Sequence, residues 1–142
     1  MKKIILLFLL AFLFFQAGRA QEIGVRFGNV VGNYAALDLA WAFKAGRIHA
    51  DVSFGYEVGA EALYDFLFAP LGNDNLYYYV GLGAYAWFGH SFGFGIPAEV
   101  GLEYRFESVP LALGMDWRPA FQILDATTFY SDRFGLNLRF VF

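Results

Sequence analysis

Apolar and polar residues alternate along most of this chain, and the last nine residues, FGLNLRFVF, show the pattern most clearly. Successive side chains of a β-strand point to opposite faces, so every second residue from Phe134 onward shares one face. The other face carries two arginines and an asparagine. A strand that is aromatic on one face and charged on the other is typical of a membrane barrel, in which the apolar face meets lipid. The apolar face consists of Phe134, Leu136, Leu138, Phe140 and Phe142.

The same alternation recurs upstream and divides the chain into eight predicted strands. Turn signals separate them, such as glycine and asparagine at 31–33 and the proline, glycine and Asx cluster at 70–75. We assign residues 44–47 to a turn and place the turn between strands three and four near 58–59. Strand four then has Leu67 on its inner face and Phe68 on its outer face. The predicted strands are residues 22–29, 34–43, 48–57, 60–68, 76–88, 94–107, 111–120 and 134–142.

Residues 1–20 have the three parts of a secretory signal peptide: two lysines, an apolar run over 4–15 and small residues before a cleavage point at Gln21. The twelve apolar residues are fewer than the ~20 that a membrane-spanning helix needs. The chain has no cysteine, which excludes a lipoprotein anchor, disulfides and thiolate metal sites. We therefore predict a signal peptide at 1–20 and a single barrel domain at 21–142.

Composition agrees with a membrane barrel, since 58% of the residues are hydrophobic and 21% are aromatic. After residue 20 no continuous apolar run is long enough for a membrane helix, because apolar residues come at every second position. Eight strands leave room for the ~9–11 residues with which a tilted strand crosses a bilayer. Open strand edges in lipid would leave backbone groups unpaired. The prediction is an all-β fold, an eight-stranded antiparallel up-and-down transmembrane β-barrel. The alternative is a soluble periplasmic ligand-binding β-barrel with the two faces reversed.

The second half of the chain resembles a known group of proteins. The runs LYYYVGLGAYAWFG, VGLEYRFESVPLALGMDWRPAF and FGLNLRFVF resemble a family of small, mostly uncharacterised outer-membrane β-barrel proteins common in Bacteroidota. The layout is more distantly similar to eight-stranded barrels of the OmpX type and to the OmpA transmembrane barrel. The resemblance implies an outer-membrane location and recognition of the C-terminal apolar residues by the barrel-assembly machinery. It implies no activity and no catalytic residue.

The inner faces of the predicted strands carry ten carboxylates, five arginines and one histidine. An eight-stranded barrel is just wide enough for its own side chains. We therefore predict a plugged lumen in which arginines fork between carboxylates, and a narrow channel is the alternative. The predicted lumen network is Glu22, Arg26, Asp38, His49, Asp51, Glu57, Glu61, Asp65, Glu99, Glu103, Arg105, Glu107, Asp116, Arg118, Arg133 and Arg139.

The sequence indicates little about activity. Without residues 1–20, the formal charge is −6, so nucleic acid is not an expected partner. We expect outer-membrane lipid and the assembly machinery as partners, a monomer, no cofactor and no metal ligand spacing. His49, Asp51 and Ser53 share an inner face, whereas a lipid hydrolase needs its nucleophile toward lipid or at an opening. We predict a structural or surface-interaction role, with a lipid-modifying enzyme as an alternative.

Overall fold

A computed structural model describes residues 21–72 and 74–142. The predicted signal peptide at 1–20 lies outside the described residues. No helix in the described part of the chain is long and apolar enough to cross a membrane. The strands are β1 (Gln21–Val30), β2 (Asn33–Phe43), β3 (Gly46–Ser53), β4 (Val58–Pro70), β5 (Leu76–Phe88), β6 (Phe92–Arg105), β7 (Leu111–Trp117), β8 (Ala120–Leu124), β9 (Thr128–Tyr130) and β10 (Phe134–Val141).

These ten segments form the eight strands of a barrel. Both β7 and β8 pair with β6, so they are two parts of one strand that is interrupted at residues 118–119. The next strand consists of β9, paired with β8, and β10, paired with β7. The antiparallel pairing of β1 with β10, from Glu22 opposite Val141 to Gly28 opposite Gly135, closes the sheet. The predicted eight-stranded antiparallel up-and-down barrel is confirmed.

The barrel has two distinguishable ends. The termini end holds the start of β1, the end of β10 and the connections at 44–45, 71–75 and 106–110. The loop end holds the connections at 31–32, 54–57, 89–91 and 125–127. All of these connections are short, so most residues in 21–72 and 74–142 belong to strands.

Burial is inverted relative to a soluble protein. Among the described residues other than glycine and proline, eighteen buried side chains are polar or charged and eight are hydrophobic, four of the eight being alanine. Large apolar side chains lie on the outside, as in Val100 of β6, which is 50% exposed and lies between the fully buried carboxylates Glu99 and Glu103 of the same strand. The period of two in the sequence accounts for this separation, because alternate side chains face the interior and the exterior.

Two local predictions are wrong. Strand β3 ends at Ser53, so the turn occupies 54–57 and Tyr56 is a loop residue that is 96% exposed. In β4 the register shifts between Asp65 and Leu67, which leaves Phe66 as an extra residue. A bulge of this kind reverses the faces beyond it. Leu67 is consequently 45% exposed and Phe68 is turned inward, with its ring 4.3 Å from the guanidinium carbon of Arg47.

Glycines on β6 allow the aromatic rings of β5 to lie directly on its backbone. A Cβ atom at Gly101 would lie 2.1 Å from the ring of Tyr79, and one at Gly93 would lie 1.8 Å from the ring of Trp87. Any larger residue would displace the ring. The inner aromatic side chains of β5 are thus held flat against the neighbouring strand.

Candidate functional site

The interior of the barrel is the most unusual feature of the molecule, and we define its charged residues as the lumen network. All members are at most 5% exposed except Arg105, whose side chain is 24% exposed. Each carboxylate forms a salt bridge with at least one arginine. The network comprises Glu22, Asp38, Asp51, Glu61, Asp65, Glu99, Glu103, Asp116, Arg26, Arg47, Arg105, Arg118, Arg133, Arg139 and His49.

Two glutamates join three arginines near the termini end. The Oε2 atom of Glu103 lies 2.9 Å from Nη1 of Arg47, and its Oε1 lies 2.8 Å from Nε of Arg105. Arg139 also pairs with Glu103 and places its Nε 3.0 Å from Oε2 of Glu22. Arg105 pairs with Glu22 as well. Because a planar guanidinium can serve two carboxylates at once, these five side chains form one connected cluster.

A second cluster is centred on Arg118, at the interruption between β7 and β8. Its Nε lies 2.9 Å from Oε2 of Glu99, and its Nη1 lies 3.0 Å from Oε1 of Glu61 and also pairs with Asp51. The backbone N–H of Arg118 donates to the carbonyl of Arg133 at 2.8 Å. Arg133 in turn pairs with Glu61. The break in the strand therefore places two arginines side by side against one glutamate across the lumen.

Arg26 and Asp116 form the third part of the network. Nη2 of Arg26 lies 2.5 Å from Oδ1 of Asp116, and the arginine Nε is 3.1 Å from both carboxylate oxygens. The amide of Asn137 donates to Asp116 at 3.0 Å. Gly135 makes room for this pair, since a Cβ there would lie 2.4 Å from Cζ of Arg26.

His49 connects the clusters. Its Nε2 lies 2.5 Å from Oδ1 of Asp38, and its Nδ1 lies 3.2 Å from Oε1 of Glu99. Nη1 of Arg139 is 2.8 Å from Nε2, and Nη2 of Arg118 is 3.2 Å from Nδ1. One imidazole thus contacts members of both arginine clusters. Nε of Arg118 also lies 3.5 Å from Oδ1 of Asp116, so the charged interior is a single continuous network.

The same region contains two groups of potential metal ligands, Asp38–His49–Asp51 and His49–Asp65–Glu99. Every carboxylate in them already pairs with a guanidinium. A cation would have to lie among several fixed positive charges and compete with them for the same oxygens. The donor set therefore suits ion pairing better than metal binding.

Ser53 forms hydrogen bonds that connect neighbouring segments at the loop end of the barrel. Its hydroxyl donates to the carbonyl of Val30 at 3.1 Å and accepts from the side-chain amide of Asn33 at 3.0 Å. A serine nucleophile needs a base within hydrogen-bond reach. Within residues 21–72 and 74–142 the hydrogen bonds of Ser53 lead to backbone carbonyls and Asn33 and not to His49.

Fourteen of the sixteen residues predicted to form the lumen network line the interior, and two do not. Glu57 lies in the 54–57 connection, where it accepts from the backbone N–H of His90 at 3.1 Å. Glu107 is exposed in the 106–110 connection and accepts from the amide of Asn75 at 2.8 Å. These two predictions are wrong because β3 and β6 end before the alternation in the sequence does.

Arg47 is the main residue that the sequence interpretation missed. It is fully buried, whereas we assigned it to a turn. The connection between β2 and β3 has only two residues, 44–45, so β3 already begins at Gly46. The signal was present, because Arg47 lies two positions before His49 and therefore on the same face.

Comparisons of the chain with protein-family models, with curated proteins and with solved structures found no match. A functional interpretation of this chain therefore depends on the physical character of its surface and its interior.

Proposed function

We propose that this chain is a small β-barrel of the bacterial outer membrane, that it reaches the membrane after secretion, and that its lumen is closed by the lumen network. Its role in this proposal is structural or surface-interacting, not catalytic. The observation that carries the proposal is the inversion of burial, with charged side chains inside and large apolar side chains outside. Water strongly disfavours such an exterior, whereas lipid matches it.

The dimensions of the strands support a membrane environment. Strands β1, β2 and β6 have 10, 11 and 14 residues, against the ~9–11 that a tilted strand needs to cross the hydrocarbon region. Aromatic rings pair near both ends of the barrel, as expected where a membrane meets water. These pairs are Tyr104–Phe106 and Phe140–Phe142 near the termini end and Phe88–Phe92 at the loop end.

The C-terminal strand supports the proposed recognition by an assembly machinery. Its apolar residues Phe134, Leu136, Leu138, Phe140 and Phe142 are between 42% and 72% exposed. Asn137 and Arg139, which alternate with them, are buried in the interior. The outer face of this strand is therefore a continuous apolar row that a partner can contact before the barrel closes.

The lumen favours a plug over a channel. Its carboxylates and guanidiniums are paired with one another across the full width of the interior, and a permeating ion would have to break these pairs. The arrangement around Ser53 and His49 likewise gives no support to the lipid-hydrolase alternative.

The proposal is tested by fractionating expressing cells and comparing gel mobility in dodecyl sulfate with and without boiling. We expect an outer-membrane protein whose band shifts on heating, because a closed barrel resists the detergent until heated. Phe142→Ala should lower the inserted fraction, whereas Tyr56→Ala, which changes an even more exposed aromatic residue in the 54–57 connection, should not. A soluble periplasmic protein without a heat shift would contradict the proposal.

A further inference from the structure

A cavity of about 210 Å³ opens at the loop end of the barrel. The cavity borders the lumen network, to which its lining residue Arg133 also belongs. It is smaller than the roughly 300–1,000 Å³ of sites for drug-sized ligands, so it has room for a single ring. Its principal lining residues are Glu57, Tyr85, Trp87, Gln122, Tyr130 and Arg133.

Two of the lining residues each have one buried polar atom without a hydrogen-bond partner among the described residues. These atoms are the hydroxyl of Tyr85 and Nη1 of Arg133. The two residues are only 4% and 3% exposed. A buried polar group without a hydrogen bond lowers the stability of the protein. Two such groups on residues that line the same cavity therefore call for a functional explanation.

A rigid aromatic surface lies beside these two atoms. The rings of Tyr85 and Trp87 are 5.8 Å apart and inclined by only 18°. Each ring lies on a glycine of β6, since a Cβ at Gly95 or Gly93 would clash with it. The platform is therefore already formed before any ligand arrives.

The charges around the cavity favour a neutral ligand. Arg133 already pairs with Glu61, so its charge is matched while one of its donors remains free. Glu57 places a second carboxylate in the cavity wall, which disfavours an anion. The free guanidinium donor disfavours a cation.

We propose that this cavity binds a pyranose ring, as a free sugar or as the terminal unit of a glycan. A pyranose has an apolar C–H face for the Trp87 platform and hydroxyl groups that both donate and accept. Its oxygens would accept from Nη1 of Arg133 and pair with the hydroxyl of Tyr85, while Glu57 accepts from a sugar hydroxyl. Sugar binding does not require the membrane location proposed above. The membrane location determines only from which side of the membrane the sugar reaches the cavity.

The test uses the purified full chain in a detergent without a sugar headgroup. Methyl β-D-glucopyranoside is the neutral probe, and D-glucuronate and choline are the charged probes, with binding followed by saturation-transfer NMR and tryptophan fluorescence. We expect saturable binding of the neutral sugar at millimolar concentration. Tyr85→Phe should weaken it by about 3–10-fold, because one hydrogen bond is lost.

Tyr85→Phe removes a hydroxyl that is unpaired in the free protein, so the variant should fold normally. Tyr79→Phe is the matched control, because Tyr79 lies deeper in the same strand, and it should leave sugar binding unchanged. Arg133→Lys, which keeps the charge opposite Glu61, should also weaken binding.

Three results would overturn the inference: no saturable binding of the sugar, equal binding by wild type and Tyr85→Phe, or stronger binding of glucuronate or choline. A protein that fractionates as soluble yet binds the sugar would instead contradict the membrane proposal and leave this inference intact.

Discussion

Glu103 offers a direct test of the packed interior because it forms salt bridges with Arg47, Arg105 and Arg139. Glu103→Gln keeps the shape of the side chain and removes its charge. Three guanidiniums then lose a shared carboxylate, and two of them are fully buried. Removing one partner of a buried ion pair typically costs about 3–5 kcal/mol. We expect the free energy of unfolding to fall by an amount in that range.

The assay is urea unfolding of protein folded into phospholipid vesicles, followed by tryptophan emission and by the unheated gel band. Glu107→Gln is the matched control, because Glu107 lies four residues further along and is exposed, with a solvent-exposed hydrogen bond to the half-buried Asn75. Its removal should have little effect, since exposed polar contacts contribute little.

The double replacement Glu103→Leu with Arg139→Leu distinguishes the cost of an unpaired buried charge from the cost of changed side-chain packing. Replacing both members of a buried pair with apolar residues is often neutral, so the double variant should be more stable than Glu103→Leu alone. A loss below about 1 kcal/mol for Glu103→Gln, the range of exposed pairs, would refute the packed lumen and favour a hydrated, open one.

Three further predictions follow from the same structure. In planar bilayers the wild-type protein should show no steady conductance, and regular single-channel steps would favour the narrow-channel alternative. Ser53→Ala should cost about 1–3 kcal/mol in urea unfolding, because it leaves the buried carbonyl of Val30 without that donor; a loss of phospholipid hydrolysis beyond the loss of folded protein would instead favour a hydrolase. Gly101→Ala should cost about 1–3 kcal/mol, because the added methyl group overlaps the ring of Tyr79, and a stability equal to wild type would show that this ring can move.

The period of two was sufficient to predict the barrel, its strand number and most of its interior. Alternation states which face a residue occupies but not where a strand bends. The bulge at Phe66 therefore reversed Leu67 and Phe68 without any change in pattern. Strand ends were equally hidden, since Glu57 continues the alternation of β3 although the strand ends at Ser53.

The sequence also gave no indication of the cavity at the loop end. Tyr85 was placed inside correctly, but the partners of its hydroxyl depend on residues brought together by strand register. Arg133 lies between β9 and β10, in the stretch 121–133 that we assigned to no strand. Whether a polar atom has a hydrogen-bond partner depends on the three-dimensional arrangement of its neighbours, which the spacing of residues along the sequence does not show.

The charges of the lumen network are unevenly divided along the chain. Strands β1–β4 contribute five of its carboxylates and two arginines, and the rest of the chain contributes three carboxylates and four arginines. The ion pairs accordingly join distant residues, as in Arg47 with Glu103 and Arg139 with Asp38, which are 56 and 101 positions apart. A half-assembled sheet would hold an unbalanced negative charge that only the later strands can neutralise. Neutralisation therefore coincides with closure of the seam between β1 and β10, which favours cooperative, all-or-none folding of the barrel over stepwise addition of hairpins.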